Sequence, residues 1–269
     1  MWGLTTSIYA KASGVLWHPA ILQDNTVFIG ISYAISENKG TCIGCSQLFD
    51  STGTGVRLIL KKLNDPRYIG KNPYMKEEEA FTTLSKLREE YYKSNPTRKL
   101  QRVVVHKTTP FTKEEIKGFT KALEGIEDIE LLQIQEHSSW RAIRMDQNDI
   151  KKACGYAVKR GLVFKIDNDS FLLWSHGCLN HAELLGEKFN YYKGGRGIPS
   201  PLLIRRFYGK ASGDTIVKEI LMLTKMNWNS GDSLYKIMPV TLDFAKVLAR
   251  MSKQNEAVYN KSYDFRYFM

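Results

Sequence analysis

Three apolar, β-rich runs joined by tight turns constrain the fold of this chain more than any other feature. The first run covers residues 27–35, and a turn at residues 38–40 leads into a second run that ends at Phe49. A Ser/Thr/Gly-rich turn then leads into the third run, residues 56–60. Short connections rich in Asn, Gly and Ser are typical of turns between neighbouring strands. We therefore predict a three-stranded antiparallel meander.

Helices and strands alternate after the meander. A helix is predicted over residues 75–93 because its apolar side chains recur on one face. A buried strand is predicted over residues 102–106, followed by a helix that opens at the capping box Thr112-x-x-Glu115 and by a strand over residues 130–135. The order β-β-β-α-β-α-β predicts an α/β fold, a ribonuclease H-like mixed sheet flanked by helices.

The second half of the chain continues with strands and closes with helices. Paired strands are predicted over residues 162–166 and 171–175, and a further strand over residues 202–208. Two amphipathic helices are predicted after Asp214 and after Pro239. These elements complete a single sheet-and-helix unit.

Three stretches carry no clear periodic pattern. The first twenty residues are predicted to be a lead-in, and the polar stretch that contains Pro66 and Pro73 is predicted to be a linker. The tail that ends in Met269 is aromatic to its last residue, so we expect it to be packed.

Length and charge limit the class of protein. The 269 residues suit one large domain or two small ones, and the formal net charge is +11 with a sequence pI near 9.3. A chain this basic often binds a polyanion, most commonly nucleic acid, although solubility or an acidic protein partner gives the same balance. No apolar run approaches the roughly 20 residues that a membrane span needs, which predicts a cytoplasmic protein without a membrane partner.

Cysteine and histidine give no metal-site pattern. Cys42 and Cys45 form a C-x-x-C within a predicted strand, and no second pair follows at zinc spacing. We predict buried thiols in a reducing compartment, in preference to a metal or redox site. His106 ends a predicted buried strand and is expected to be a hydrogen-bonded core residue.

Carboxylates are missing where a nuclease of this fold needs them. Such nucleases hold two divalent metal ions with clustered carboxylates, the first in the middle of the first strand and another at the end of the fourth strand. The first position holds Ser32, and the second lies in His106-Lys107-Thr108-Thr109. A hydroxyl is a poor substitute for a charged oxygen ligand, and Lys107 is expected to repel a metal ion.

Several motifs in the same order make the chain resemble the PIWI domain of Argonaute proteins along nearly its whole length. They include Gly30-Ile31-Ser32, residues 106–109 and residues 239–246. The resemblance implies residues 1–22 as the junction with a MID domain and residues 23–269 as the PIWI domain. It also implies a degenerate nuclease site, because Ser32, Thr108 and Lys246 stand at the family's metal-ligand positions. That pattern is similar to the short, catalytically inactive prokaryotic Argonautes.

The resemblance also implies contacts to nucleic acid. Arg141 matches a family arginine that contacts the guide, and the full set of candidate phosphate-binding residues is Arg141, Lys225, Asn227, Asn229, Lys246 and Arg250. Trp228 is predicted to be a core residue and not a base-stacking platform. The carboxylate of Met269 is expected to help bind a structural magnesium ion beside the guide 5′ phosphate when a MID domain is present.

Three hypotheses for function remain open. The resemblance favours a non-cleaving sensor that binds a guide RNA or DNA and a complementary target, with MID supplied upstream or by another chain. Its implied partner is an APAZ-containing protein with a TIR, sirtuin-type or nuclease effector, in antiphage or anti-plasmid defence. The second hypothesis is an active endonuclease that uses Asp50, Asp243 and Asp264, and the third is a scaffold that contacts only protein.

Overall fold

The structure of the chain, a computed structural model, describes residues 2–17, 25–36, 40–49, 55–136, 138–178, 198–228, 236–251 and 262–264. The helices are α1 (Trp2–Lys11), α2 (Glu77–Ser94), α3 (Lys113–Ala122), α4 (Gly213–Leu223) and α5 (Val240–Met251). The first strands are β1 (Thr26–Ser36), β2 (Gly40–Phe49), β3 (Gly55–Lys62), β4 (Arg67–Ile69), β5 (Asn72–Tyr74) and β6 (Arg102–Lys107). They are followed by β7 (Asp128–Gln135), β8 (Val163–Lys165), β9 (Ser170–Leu173), β10 (Leu202–Tyr208) and β11 (Ser262–Asp264).

A mixed nine-stranded sheet organises the chain, in the order β11-β3-β2-β1-β6-β7-β10-β9-β8. The strands β1, β2 and β3 form the predicted antiparallel meander. In the centre, β6 pairs in parallel with both β1 and β7, while β10, β9 and β8 continue the sheet in antiparallel pairs. The predicted ribonuclease H-like mixed sheet is confirmed.

Helices cover both faces of the central strands. In β6, Val103 and Val105 belong to the apolar cluster under α2 and α3, whereas Val104 belongs to the cluster under α4 and α5. Successive side chains of a strand point to opposite faces, so β6 is apolar on both sides, as a central parallel strand must be. The run Arg102–Lys107 is buried throughout.

The capping box predicted at α3 is present. The Thr112 hydroxyl accepts the backbone N–H of Glu115 at 3.2 Å, and a Glu115 carboxylate oxygen accepts the backbone N–H of Thr112 at 3.0 Å. Farther along α3, Gly118 lies against α2, where a Cβ atom would clash with the carbonyl oxygen of Glu77. A glycine is therefore required for the close approach of these two helices.

A buried ion cluster joins α4 to the amino-terminal ends of β6 and β7. Arg102 donates from Nε to Oδ2 of Asp128 at 2.7 Å, and its Nη2 donates to Oε2 of Glu219 at 3.0 Å. Arg102 and Glu219 are both buried. Buried charges are tolerated only when they are paired in this way.

Two stretches without a clear pattern turned out to be structured. The predicted linker forms the hairpin β4–β5, a separate two-stranded sheet in which Pro73 pairs with Tyr68. Proline is tolerated in this hairpin because an edge strand can lack an N–H donor. The lead-in contains α1, and Trp17 then packs edge-on against Trp228 at a centroid distance of 6.2 Å. The prediction of a linker without secondary structure is therefore wrong, because two three-residue strands are too short to give a periodic sequence pattern.

The carboxyl-terminal segment reaches the outer edge of the sheet. Strand β11 pairs with β3, and Tyr263 packs against the apolar cluster under α4 and α5, as expected for a packed tail. Residues 265–269, and with them the Met269 carboxylate, lie outside the described residues. No helix in the described part of the chain has the length and apolar character needed to cross a membrane.

Candidate nucleic-acid interface

One cleft of about 560 Å³ brings together the three positions at which the sequence lacks metal-binding carboxylates. Ser32 lies within β1, one residue beyond the pair of Ile31 and Lys107, Thr108 directly follows β6, and Lys246 lies on α5. Because β1 and β6 are parallel neighbours, their carboxyl ends meet at the same edge of the sheet. The helix α5 packs on the face of β1 and β2 and supplies Lys246.

The cleft also contains two carboxylates that differ in environment. Asp243 and Glu136 both line it, and Asn227 donates from Nδ2 to Oδ2 of Asp243 at 3.3 Å. Burial raises the pKa of Asp243, and Glu136 adds to this rise, while the Asn227 hydrogen bond and the charges of Lys236 and Lys246 oppose it. Asp243 is therefore already engaged by an amide and by cations.

The donor set at the three positions does not fit a magnesium pair. Mg²⁺ prefers carboxylate oxygens, and two hydroxyls with an ammonium group offer no negative charge. Within the described residues, no group of three or more His, Cys, Asp or Glu side chains is placed to hold a metal ion. Asp264 lies in β11 and is not among the residues that line the cleft with Asp243. Asp50 lies outside the described residues.

Lys107 points away from the cleft, so the expectation that it repels a metal ion there is wrong. Its Nζ lies 2.6 Å from both carboxylate oxygens of Glu115 and 4.8–5.4 Å from the ring centroids of Tyr33, Tyr74 and Phe111. Burial lowers the pKa of Lys107 to about 8, although Glu115 opposes the shift. The alternation of side chains along β6 places Lys107 under α3 and its neighbours on the other face.

His106 is a core residue, as predicted, but only one of its ring nitrogens is hydrogen-bonded. Nδ1 lies 2.9 Å from Oγ1 of Thr241 on α5, whereas Nε2 has no hydrogen-bond partner among the described residues. Burial is the main reason that the pKa of His106 falls to about 3, and the charge of Arg102 adds to the effect. The imidazole is therefore neutral at physiological pH.

This pKa predicts a pH-dependent loss of stability. Between pH 6.5 and about 3 the unfolded chain binds a proton at His106 that the folded chain does not, so the free energy of unfolding falls as the pH falls. The expected slope is up to about 1.4 kcal/mol per pH unit. Urea unfolding from pH 7 to pH 4 measures it, with His106→Gln as the matched variant. Identical slopes in the two proteins would contradict the assignment.

Two of the predicted phosphate-binding residues lie in the cleft. Lys246 and Arg250 are exposed, line the same cleft and are one helical turn apart on α5. Both also border an adjacent groove of about 330 Å³, together with Lys236. The exposed side of α5 therefore presents the cations Lys246 and Arg250, with the apolar Val247 between them, and such cations suit phosphate oxygens.

The other predicted contacts are more dispersed. Arg141 is exposed and donates from Nη1 to the carbonyl oxygens of Ser138 and Trp140, both at 2.7 Å. Lys225 is exposed just after α4 and does not line the cleft, whereas Asn227 is buried and directs its amide to Asp243. Asn229 and Met269 lie outside the described residues. The prediction that Trp228 is a core residue is confirmed, because its side chain is buried.

Sequence reasoning missed two residues that line the cleft, Glu136 and Gln135. Both are at the carboxyl end of β7, the parallel neighbour of β6. The carboxyl ends of parallel strands meet at one edge of the sheet, so these residues could have been predicted to lie beside Thr108. Gln133, one side-chain period earlier, donates from Nε2 to the carbonyl oxygen of Thr108 at 3.1 Å and ties the two strand ends together.

Solved Argonaute structures share this architecture. The chain is similar to Clostridium butyricum Argonaute bound to a guide DNA and a 19-mer target DNA, with a TM-score of 0.70 and 16% identity over 98% of this chain and 31% of that one. It is also similar to Aquifex aeolicus Argonaute, with a TM-score of 0.66 and 19% identity over 99% of this chain and 34% of that one. No family profile and no curated protein matches the sequence. The chain thus spans about a third of each Argonaute and has the ribonuclease H-like fold of the Argonaute PIWI domain.

Proposed function

We propose that this chain holds a guide nucleic acid and its complementary target without cutting either strand. One observation carries the proposal: Ser32, Thr108 and Lys246 meet in a single cleft at the sheet edge where nucleases of this fold bind their metal ions. An ammonium group there attracts a phosphate, but it cannot generate a metal-bound hydroxide.

The basic charge of the chain supports the binding half of the proposal. Lys246 and Arg250 border the cleft, and the formal net charge is +11. Phosphate contacts of this kind set affinity and register and carry no sequence information. In this proposal the sequence is read by base pairing between guide and target, and the protein recognises the backbone and its shape. The C. butyricum protein, which shares the fold, was solved with both guide and target DNA.

The finer proposal concerns the assembly. The motif pattern of the sequence supports a short, catalytically inactive prokaryotic Argonaute in which MID binds the guide 5′ end and an APAZ-containing effector responds to target capture. Catalysis would then belong to the effector and not to this chain.

Binding and cleavage of a labelled target test the proposal. With MID and partner supplied, we expect steeply salt-dependent binding of guide and target and no cut product in Mg²⁺ or Mn²⁺. Lys246→Gln is expected to reduce the slope of log affinity against log salt by about 1, because one phosphate contact is lost. The matched control is Lys218→Gln, which removes an exposed charge from α4, outside the cleft.

Two results would overturn the proposal. A cleavage product that disappears in Asp243→Ala would indicate that the chain is an endonuclease that uses non-standard carboxylates. If nucleic-acid binding is absent, or if salt does not weaken it, only the hypothesis of a scaffold that contacts protein is left. Equal slopes in Lys246→Gln and Lys218→Gln would place the phosphate contacts outside the cleft.

A further inference from the structure

Two aromatic rings are exposed side by side at the end of the sheet. Trp140 is 51% exposed and Phe164 is 54% exposed, and their ring centroids lie 6.4 Å apart with planes tilted by 34°. Aromatic side chains usually bury most of their surface, because each contributes a large apolar area. We call these two rings the aromatic pair.

The aromatic pair lies along the same edge of the sheet as the cleft. Trp140 follows the end of β7 by five residues, and the intervening Ser138 donates to the carbonyl oxygen of Pro201, just before β10 begins. Because β10, β9 and β8 are successively antiparallel, the start of β8 lies at this edge as well. Three strand spacings, roughly 14 Å, separate β8 from β7. Gln135 and Glu136 at the end of β7 line the cleft, so the aromatic pair lies about three strand spacings from that side of the cleft.

Two exposed arginines lie in the same part of the sheet as the rings. Arg141 is exposed and directly follows Trp140. Arg205 is also exposed and lies on the same sheet face as Phe164. Phe164 and Leu203 share that face because both pair with Leu172. Arg205 is two residues after Leu203 in β10 and therefore points to the same side. Asp167, which interacts with Arg205, contributes one opposing charge. Exposed rings beside arginines are the combination that proteins use to stack bases and hold the phosphates between them.

We propose that the aromatic pair is a stacking platform for an unpaired base of a strand that runs out of the cleft. This inference rests on the proposed function, since it needs nucleic acid in the cleft. Every base has a π-face, so such a platform is tolerant of sequence and adds affinity only where the strand is single. A protein strand added to β8 is the other candidate occupant, but β8 has only three residues and offers few backbone hydrogen bonds.

The test compares two substrates with the full chain and the subunits that co-purify with it. One is a blunt guide–target duplex, and the other carries a short single-stranded extension with a fluorescent adenine analogue. We expect Trp140→Ala and Phe164→Ala each to weaken binding of the extended substrate on the order of tenfold and to leave blunt-duplex affinity unchanged. Stacking is expected to quench the analogue in the parent chain, and Trp140→Ala should restore its emission.

Control variants separate this platform from other effects. Ile150→Ala removes a side chain that is 79% exposed and lies outside the aromatic pair, so binding of both substrates should be unchanged. Trp140→Phe keeps an aromatic face and should retain most of the affinity. If the parent chain binds both substrates and Trp140→Ala matches it, the platform is refuted while the proposed function stands. If Trp140→Ala and Phe164→Ala instead release a co-purifying subunit with nucleic-acid binding intact, the surface is a protein interface and the inference also fails.

Discussion

Replacing Ser32, Thr108 and Lys246 together by aspartate is expected to create a divalent-metal site in the cleft, with a Kd for Mn²⁺ of about 1 mM or tighter. The three side chains line one cleft, so the change turns two hydroxyls and one cation into three converging carboxylates. Glu136 and Asp243 add negative charge at the same place. Clustered carboxylates bind Mn²⁺ because each supplies a charged oxygen ligand.

The measurement is the shift in unfolding temperature when Mn²⁺ is added, since a ligand that binds only the folded chain stabilises it. The matched control replaces the same three residues by asparagine, which keeps the size of the side chains without their charge. We expect a rise in unfolding temperature for the aspartate variant alone. An equal rise in the unfolding temperature of the parent chain would contradict the degenerate site. A folded aspartate variant whose unfolding temperature does not change with Mn²⁺ would contradict the convergence of the three positions.

The largest expected loss of stability follows from Lys107→Met, about 3–5 kcal/mol in the free energy of unfolding. Lys107 and Glu115 are fully buried, and the substitution leaves the Glu115 carboxylate without its cation. The hydroxyl of Tyr33 at 2.8 Å and the backbone N–H groups of Met75 and Thr112 remain as donors, but they do not neutralise the charge. Urea unfolding measures the loss.

A double variant separates the charge from the packing. Glu115→Gln removes the negative charge, and glutamine still suits the third position of the capping box at α3. The combination of Lys107→Met and Glu115→Gln should therefore be more stable than Lys107→Met alone. If the double variant is as unstable as the single one, lost packing and not the unpaired carboxylate explains the effect.

Much of the fold was predictable because periodicity and turn chemistry agree along most of the chain. The meander, the helix opened at Thr112 and the strand pair around residues 163–173 were all located from such signals. The helix α1 was not, because Trp2–Lys11 carries no continuous apolar stripe, and Leu4, Ile8 and Tyr9 remain exposed in the structure. Nor does the sequence alone give the order β7-β10-β9-β8, which depends on long-range pairing.

The candidate site was predictable in part. Ser32, Thr108 and Lys246 were located by motif, and the structure brings them together in one cleft. The direction of Lys107 was missed, although strict alternation along β6 already places it and Thr108 on opposite faces. The aromatic pair was missed because Trp140 and Phe164 are distant in sequence, and neither ring alone indicates exposure.

The ion cluster around Arg102 has a consequence for how such a chain tolerates change. Arg102, Asp128 and Glu219 fasten α4 to the end of the sheet opposite the cleft. The charges that hold α4 in place are therefore separate from those that line the cleft. Substitutions that change the charge of the cleft therefore leave the pairs of Arg102 intact, and variants of Ser32, Thr108 and Lys246 are expected to fold.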